Sequence, residues 1–262
     1  EIDNHRAAID GLYFVMGDIN RFEVDFQLNQ VGNETKAQEF FTLSLDFDPI
    51  SPNSKVGLGF ADYREGNYDE AIKKFEDAIL FDPTYFLSYS GLGYVYYDLE
   101  QYDKALEYHS KAADLNPSPL NFNRLALAHF YAGNKEDALI AIDKAIELSP
   151  EEARYYDSKA IILYFSGQFQ EGEKVLQNSI QLHEKYGTYS PRGITLGEVL
   201  LGWSKYQLGE KEEAQRLFED VMANEEGWFA RFLSLLGLVT ISYEDNDISA
   251  TQYVSQLEDT LA

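Results

Sequence analysis

The chain has 262 residues, a formal net charge of −24 at pH 7 and no cysteine. A chain of this length can bury a core without covalent crosslinks, and the lack of cysteine removes disulfides, thiolate metal ligands and thiol nucleophiles. The negative charge repels phosphate backbones, so it argues against a nucleic-acid partner and favours basic or neutral ones.

The N-terminal part of the chain carries a weak pattern. Residues 3–16 are predicted as a helix and residues 18–51 as a degenerate first helix pair. In that pair, Gly32, Ala37 and Phe41 keep the spacing of the units that follow.

The strongest pattern is a repeat that covers residues 52–152. Short phrases end in Pro49, Pro83, Pro117 and Pro150, at intervals of 34, 34 and 33 residues. About 34 residues hold two helices of about 14 residues and two tight turns. Proline ends the second helix of each unit because it donates no N–H and restricts the residue before it.

Small residues recur inside these units at fixed distances from the prolines. They form three sets: Gly59, Gly93 and Ala126; Ala71, Ala105 and Ala138; Ala78, Ala112 and Ala145. Larger side chains would hold crossing helices apart, so we expect Ala105 to lie buried between paired helices. Gly66 and Gly133 are predicted in the turn between the two helices of a unit.

Weaker units follow towards the C-terminus. Residues 153–186 and 195–228 keep part of the pattern, and the segment from Lys185 to Gly193 between them is predicted as an exposed loop. The tail is predicted as a capping helix pair. The chain is therefore predicted to be a single array over residues 1–262, with units at 18–51, 52–85, 86–118, 119–152, 153–186 and 195–228 and a cap at 229–262.

This pattern resembles the tetratricopeptide repeat family. The family sequence of Trp-x2-Leu-Gly-x2-Tyr, Ala-x3-Phe and Pro is nearly met by Tyr89, Leu92, Gly93, Tyr96, Ala105 and Pro117. His109 replaces the usual aromatic residue there, and Lys55 stands where the preceding unit would carry a large residue. The resemblance implies an all-α fold, an α-solenoid of antiparallel helix pairs that winds into a superhelix.

The resemblance also implies a binding face. In this family the concave groove is lined by the second, fifth, ninth, twelfth and thirteenth positions of each first helix. Aromatic residues prevail at the twelfth position and large apolar ones at the ninth, and aromatic side chains are frequent binding anchors. The predicted partner-binding residues are Phe60, Tyr63, Arg64, Tyr94, Tyr97, Asn123, Leu127, Phe130, Arg154, Asp157, Tyr164, Trp203 and Tyr206. An equally weighted interpretation is that single rings pack between neighbouring first helices.

Catalytic chemistry finds no support in the sequence. The four histidines are widely spaced and form no metal-ligand pattern, and the Gly57/Gly59 and Gly91/Gly93 pairs lack the third glycine of a phosphate loop. We therefore expect a protein that is not an enzyme, without catalytic residues, metal or cofactor.

The preferred hypothesis is a scaffold that binds an extended or helical segment of a partner protein, apolar, aromatic or basic in character. The alternatives are a self-associating homo-oligomeric platform and, ranked last, a carbohydrate-binding module that stacks sugars on the aromatic rings. We expect a soluble protein, because no apolar run reaches the roughly 18 residues of a membrane span. The chain begins at Glu1, so an upstream targeting segment stays open, as does the choice between cytoplasm and an extracytoplasmic compartment.

Overall fold

A computed structural model describes residues 41–42, 51–186, 191–224, 228–245 and 249–261. Within these ranges every regular element is an α-helix, and no strand occurs in them. The helices are α1 (Pro52–Arg64), α2 (Tyr68–Phe81), α3 (Phe86–Asp98), α4 (Tyr102–Leu115), α5 (Pro119–Tyr131), α6 (Lys135–Leu148), α7 (Ala153–Phe165), α8 (Phe169–Tyr186), α9 (Pro191–Gln207), α10 (Lys211–Asn224), α11 (Trp228–Glu244) and α12 (Ser249–Leu261). The predicted fold class, an all-α solenoid type built from helix pairs, is confirmed.

The helices pair as the repeat predicts: α1 with α2, α3 with α4, and onwards to α11 with α12. The helix predicted at 3–16 lies outside the described residues, as does most of the predicted unit 18–51. The described residues form two compact units, one that ends at Leu148 and one that begins at Ser149. Each unit is described by itself below.

The segment between α8 and α9 differs from its prediction as a long exposed loop. Lys185 and Tyr186 complete the 18-residue helix α8, and Pro191 already begins the 17-residue helix α9. Proline at the first helical position is favourable, because the N–H that it lacks would have no intrahelical partner there. The described ends of this segment therefore belong to two helices, the second of which begins at 191, and residues 187–190 of the predicted loop lie outside the described residues.

Local sequence explains where the helices begin and turn. Pro52 and Pro119 stand at the starts of α1 and α5, and the preceding Ser51 and Ser118 accept hydrogen bonds from backbone N–H groups of the first turn. The turns inside the pairs need a left-handed backbone conformation, which Gly66 adopts at a φ of 79° and Gly133 at 83°. The predicted role of these two glycines is confirmed.

The helix-crossing sites lie at the small residues. Ala71, Ala105 and Ala138 are between 0 and 1% exposed, so the predicted burial of Ala105 is confirmed. Aromatic rings of second helices fill the space beside glycines of first helices. A Cβ atom would lie 2.8 Å from the Phe75 ring if it were added at Gly59, and 2.4 Å if it were added at Gly91. Phe75 of α2 therefore fits between α1 and α3 only because both glycines lack a side chain.

Candidate functional site

The candidate site in the unit that ends at Leu148 is a group of tyrosines where the first helices end and the second helices begin. Rings contact each other across successive first helices: Tyr63 of α1 lies 6.2 Å from Tyr94 of α3, and Tyr97 of α3 lies 4.6 Å from Tyr131 of α5. Tyr102, the first residue of α4, lies 5.9 Å from Tyr97 and 5.5 Å from Tyr131. These contacts join a twelfth-position ring to the ninth-position Tyr94 between α1 and α3, and a twelfth-position ring to the thirteenth-position Tyr131 between α3 and α5.

We define the tyrosine surface by the partly exposed members of this group. It consists of Tyr68, Tyr97, Asp98, Tyr102 and Tyr131. Tyr68 donates a hydrogen bond to the Asp98 carboxylate at 3.3 Å, and its ring lies 5.9 Å from Tyr63. A carboxylate therefore lies within the aromatic surface.

Most of the predicted groove residues of this unit lie beneath the surface. Phe60, Tyr63 and Phe130 are each 5% exposed and Leu127 is 3% exposed, which gives them a packing role in the free protein. Tyr94 and Asn123 are also buried, whereas Tyr97 is partly exposed and Arg64 is exposed.

Between α4 and α5, two polar residues stand at the repeat positions that Phe75 and Gly91 occupy between α2 and α3. His109 is the eighth residue of α4, as Phe75 is of α2, and Arg124 is the sixth residue of α5, as Gly91 is of α3. Arg124 is buried, lies 5.2 Å from the centre of the Tyr94 ring and donates to Asn121 at 3.0 Å. Burial, together with the nearby guanidinium of Arg124, lowers the pKa of His109 to about 3. His109, which replaces the usual aromatic residue of the repeat, packs like one, because its ring lies edge-on against Tyr94.

Sequence reasoning did not name Tyr68, Tyr102 and Tyr131 as site residues. Tyr131 occupies the thirteenth position of its first helix, a groove position that was named for other units. Tyr68 and Tyr102 begin second helices exactly one repeat apart. A search for aromatic residues at the start of second helices would have found them.

In the unit that begins at Ser149, two of the predicted rings are buried. Trp203 is 1% exposed and packs edge-on against Phe218 at 5.5 Å and Tyr206 at 5.8 Å, which leaves no indole face open for sugar stacking. Tyr164 contacts Phe169 at 5.4 Å, and burial raises the pKa of its hydroxyl. Tyr206 is partly exposed and donates to Glu244 at 2.5 Å.

The polar residues predicted in this unit have partners within the chain. Asp157 of α7 accepts hydrogen bonds from Ser179 of α8 and contacts Nε2 of His183 at 3.1 Å, so its carboxylate holds the helix pair together. Arg154 is exposed and lies 3.0 Å from Glu152. Arg154 and Tyr206 are therefore the most accessible of the predicted residues of this unit.

Lys205 is a buried cation that carries no acid–base chemistry. Its ammonium lies 2.7 Å from Glu210, 2.9 Å from Glu173 and 3.3 Å from Glu213. Hydrogen bonds to Glu210 and then Glu173 raise the pKa of Lys205 well above its usual value. A base at neutral pH needs a lowered pKa, so this lysine is a structural ion-pair centre.

In the described parts of the chain, no helix is both long and apolar enough to cross a bilayer.

Among curated proteins, no sequence matches the chain significantly. Solved structures with the same fold include PilW, a type IV pilus biogenesis factor, with 22% sequence identity, a TM-score of 0.68 and coverage of 79% of this chain and 92% of that one. Pseudomonas aeruginosa PilF has 19% identity, a TM-score of 0.63 and coverage of 79% and 90%. YrrB, described as a TPR protein with an unusual peptide-binding site, has 16% identity, a TM-score of 0.57 and coverage of 74% and 97%.

Sequence models of the family agree with the geometry of the helix pairs. A TPR repeat model matches residues 59–100, and tetratricopeptide repeat models match residues 86–119, 121–152 and 199–225. These matches cover the four tyrosines of the tyrosine surface, Tyr68, Tyr97, Tyr102 and Tyr131. The chain belongs to the tetratricopeptide repeat family.

Proposed function

We propose that this protein is a non-catalytic scaffold that binds a segment of a partner protein along the first helices α1, α3 and α5. The observation that carries the proposal is the tyrosine surface, where Tyr97 of α3, Tyr131 of α5 and Tyr102 of α4 touch one another and stay partly exposed. Tyrosine offers a large contact area at a small cost in side-chain entropy, which is the character of binding anchors.

The predicted site residues divide into two roles in this proposal. Tyr97 and Arg64 contact the partner directly, together with Tyr68, Tyr102 and Tyr131. The buried residues Phe60, Tyr63, Tyr94, Asn123, Leu127 and Phe130 hold these side chains in place from below. A surface that is rigid before binding loses less entropy on association, so the buried layer supports affinity indirectly.

In the unit that begins at Ser149, Tyr206 and Arg154 each add a contact to the partner. Tyr164 and Trp203 are buried, and Asp157 accepts a hydrogen bond from Ser179, so these three residues hold the helices in place.

The test is a selection of random dodecapeptides on the immobilised protein, followed by binding measurements with the selected peptides. Tyr97→Ala combined with Tyr131→Ala should weaken binding at least tenfold, because anchors concentrate at the centre of an interface. Tyr108→Ala is the matched control, since Tyr108 is a partly exposed tyrosine of the adjacent helix α4 that stacks on Tyr96 at 5.3 Å. A thermal melt of each variant accompanies the binding assay.

Two outcomes would contradict the proposal. Peptides that bind the double variant as well as the wild type would move the site elsewhere. Loss of binding only together with loss of the folded state, in that variant and in milder tyrosine-to-leucine variants, would assign the rings to packing.

Self-association is the second candidate function. Leu80 of α2 is 74% exposed and Ile140 of α6 is 56% exposed, and exposed large apolar side chains on second helices favour contact between copies. Light scattering after size exclusion separates the two functions. A monomer at all concentrations removes the platform hypothesis, whereas a dimer that Leu80→Glu dissociates would support it.

A further inference from the structure

We propose that the tyrosine surface accepts a basic side chain, arginine or lysine, of the bound segment. This inference deepens the proposed function and rests on it. It names the chemistry of one contact, for which the relevant residues are Tyr97, Asp98, Tyr102 and Tyr131.

The packing of the rings determines where such a side chain would lie. Tyr97 meets Tyr131 at an interplanar angle of 74°, and Tyr102 stacks on Tyr131 at 21°. With centroids 4.6 to 5.9 Å apart, the rings fill the space between themselves and leave no room for a ligand atom there. The ligand therefore packs on those parts of the three side chains that stay accessible, since each residue is partly exposed.

The electrostatics of these faces favour a cation. The face of an aromatic ring carries the negative part of its quadrupole, so it attracts guanidinium and ammonium groups. Asp98 adds a full negative charge beside Tyr97, and Tyr68 holds this carboxylate in place through its hydroxyl. A partner carboxylate would be repelled here by both Asp98 and the overall charge of −24.

The same unit already uses this chemistry within the chain. The guanidinium of Arg124 lies 5.2 Å above the Tyr94 ring, and the ammonium of Lys104 lies 4.7 Å above the Tyr96 ring. Lys144 lies 5.5 Å above Phe122 in the same manner. Aromatic faces next to the tyrosine surface therefore take cations at distances typical of a favourable contact.

Arginine fits this surface better than lysine. The planar guanidinium can stack on one tyrosine face and donate at the same time to the Asp98 carboxylate, whereas the compact ammonium makes one of these contacts well. A basic residue flanked by apolar or aromatic ones would use both the rings and the charge.

The experiment uses dodecapeptides selected by display on the full chain. We expect them to contain arginine or lysine at one shared position. Replacement of that arginine by citrulline, which keeps the shape and removes the charge, should weaken binding about tenfold, and replacement by lysine should weaken it less.

Variants of the protein locate the effect. Asp98→Asn should reduce the preference for arginine over citrulline to within about threefold, and Asp143→Asn, an equal change of charge on the exposed part of α6, should leave it unchanged. Tyr97→Leu with Tyr131→Leu should abolish the preference, and Tyr108→Leu should retain it. Because Asp98→Asn removes no buried group, it keeps the test valid if the tyrosine variants unfold.

The outcomes separate this inference from the function on which it rests. Selected peptides without a basic residue, or equal binding of arginine and citrulline peptides, would overturn the cation contact while leaving peptide binding intact. A preference for arginine that Asp143→Asn reduces as much as Asp98→Asn does would reflect overall charge alone and would also overturn it. A selection that yields no binding peptide would overturn both.

Discussion

Single residues decide how closely the paired helices approach, and Phe75 is the clearest case. Its ring lies against both Gly59 and Gly91; Gly59 belongs to the same repeat as Phe75 and Gly91 to the next repeat. Phe218 has the same arrangement in the compact unit that begins at Ser149. Cβ atoms added at Gly202 and Gly237 would lie 2.6 and 2.3 Å from its ring. The sequence led us to expect glycine for helix packing, and the structure adds the ring that needs it.

Gly91→Ala should destabilise the protein by about 1–3 kcal/mol, because the new Cβ atom overlaps the Phe75 ring and the core must shift. The matched control is Gly172→Ala in α8, where the nearest atom would lie 3.6 Å away. That change should be neutral or should stabilise by up to about 1 kcal/mol, since alanine favours helix over glycine. Urea unfolding measures the difference in stability between the two variants. Equal unfolding midpoints would show that there is more space between residue 91 and the Phe75 ring than the structure indicates.

The His109 and Arg124 pair predicts a coupled effect of two substitutions. His109→Phe alone should overpack against Arg124, and Arg124→Gly alone should leave a cavity and a flexible backbone. Together they recreate the Phe75 and Gly91 arrangement. The loss of stability in the double variant should therefore be smaller than the sum of the losses in the two single variants, and the difference should be about 0.5–3 kcal/mol. A double-mutant cycle from chemical denaturation measures this coupling, and strict additivity would contradict it.

His109 also predicts a dependence of stability on pH. Its folded pKa of about 3 lies below the ordinary 6.5, so below pH 6.5 the unfolded chain binds a proton that the folded chain does not. Stability should therefore fall as the pH falls from 6.5 towards 3. Relative to the His109→Phe, Arg124→Gly variant, the wild type should lose about 2 kcal/mol between pH 7 and pH 5. Parallel pH profiles of the two proteins would contradict the assignment of this loss to His109.

At the scale of elements, sequence periodicity located the helices well and their ends less well. The first helices α1, α3, α5 and α7 lie within the predicted units, because apolar residues at helical spacing and proline or glycine at the turns act locally. Between α8 and α9 the predicted loop was too long, because Lys185, Tyr186 and Pro191 belong to helices, while residues 187–190 lie outside the described residues. Whether a proline ends a helix or begins one depends on the residues that pack around it in the folded chain.

Asp157 provides the prediction at this scale, because it connects the two helices of one pair. Asp157→Ala should cost about 1–3 kcal/mol, since the buried side chains of Ser179 and His183 would lose their contacts with the carboxylate and Ser179 would keep only the longer hydrogen bond to the Ala153 carbonyl. The control is Arg154→Ala on the same helix, an exposed side chain whose removal should change stability by less than about 0.5 kcal/mol. Thermal or chemical unfolding compares the two, and similar small effects would mean that the Asp157 contacts contribute little.

At the scale of the whole molecule, the net charge of −24 sets the long-range field that a partner meets. A basic partner segment should associate faster at low salt, because counterions screen the attraction over about 10 Å at 0.1 M ionic strength. Between about 50 and 500 mM salt the association rate constant should fall at least several-fold, while the dissociation rate constant changes less. Stopped-flow fluorescence with a selected peptide measures both, and a salt-independent association rate would show that the field does not guide the encounter.

The sequence by itself determined the fold class, the helix pairs and the family, because these follow from periodic patterns whose physical causes lie within one or two helical turns. Through the resemblance to the family it also predicted aromatic residues at the twelfth position and large apolar ones at the ninth. Tertiary structure decided which of these side chains reach the surface. Phe60, Tyr94 and Trp203 stand at the ninth position, yet neighbouring rings bury them, whereas Tyr102 and Tyr131 are partly exposed partners of Tyr97. Exposure depends on side chains that are distant in sequence and adjacent in space, and a repeat pattern contains no measure of that distance.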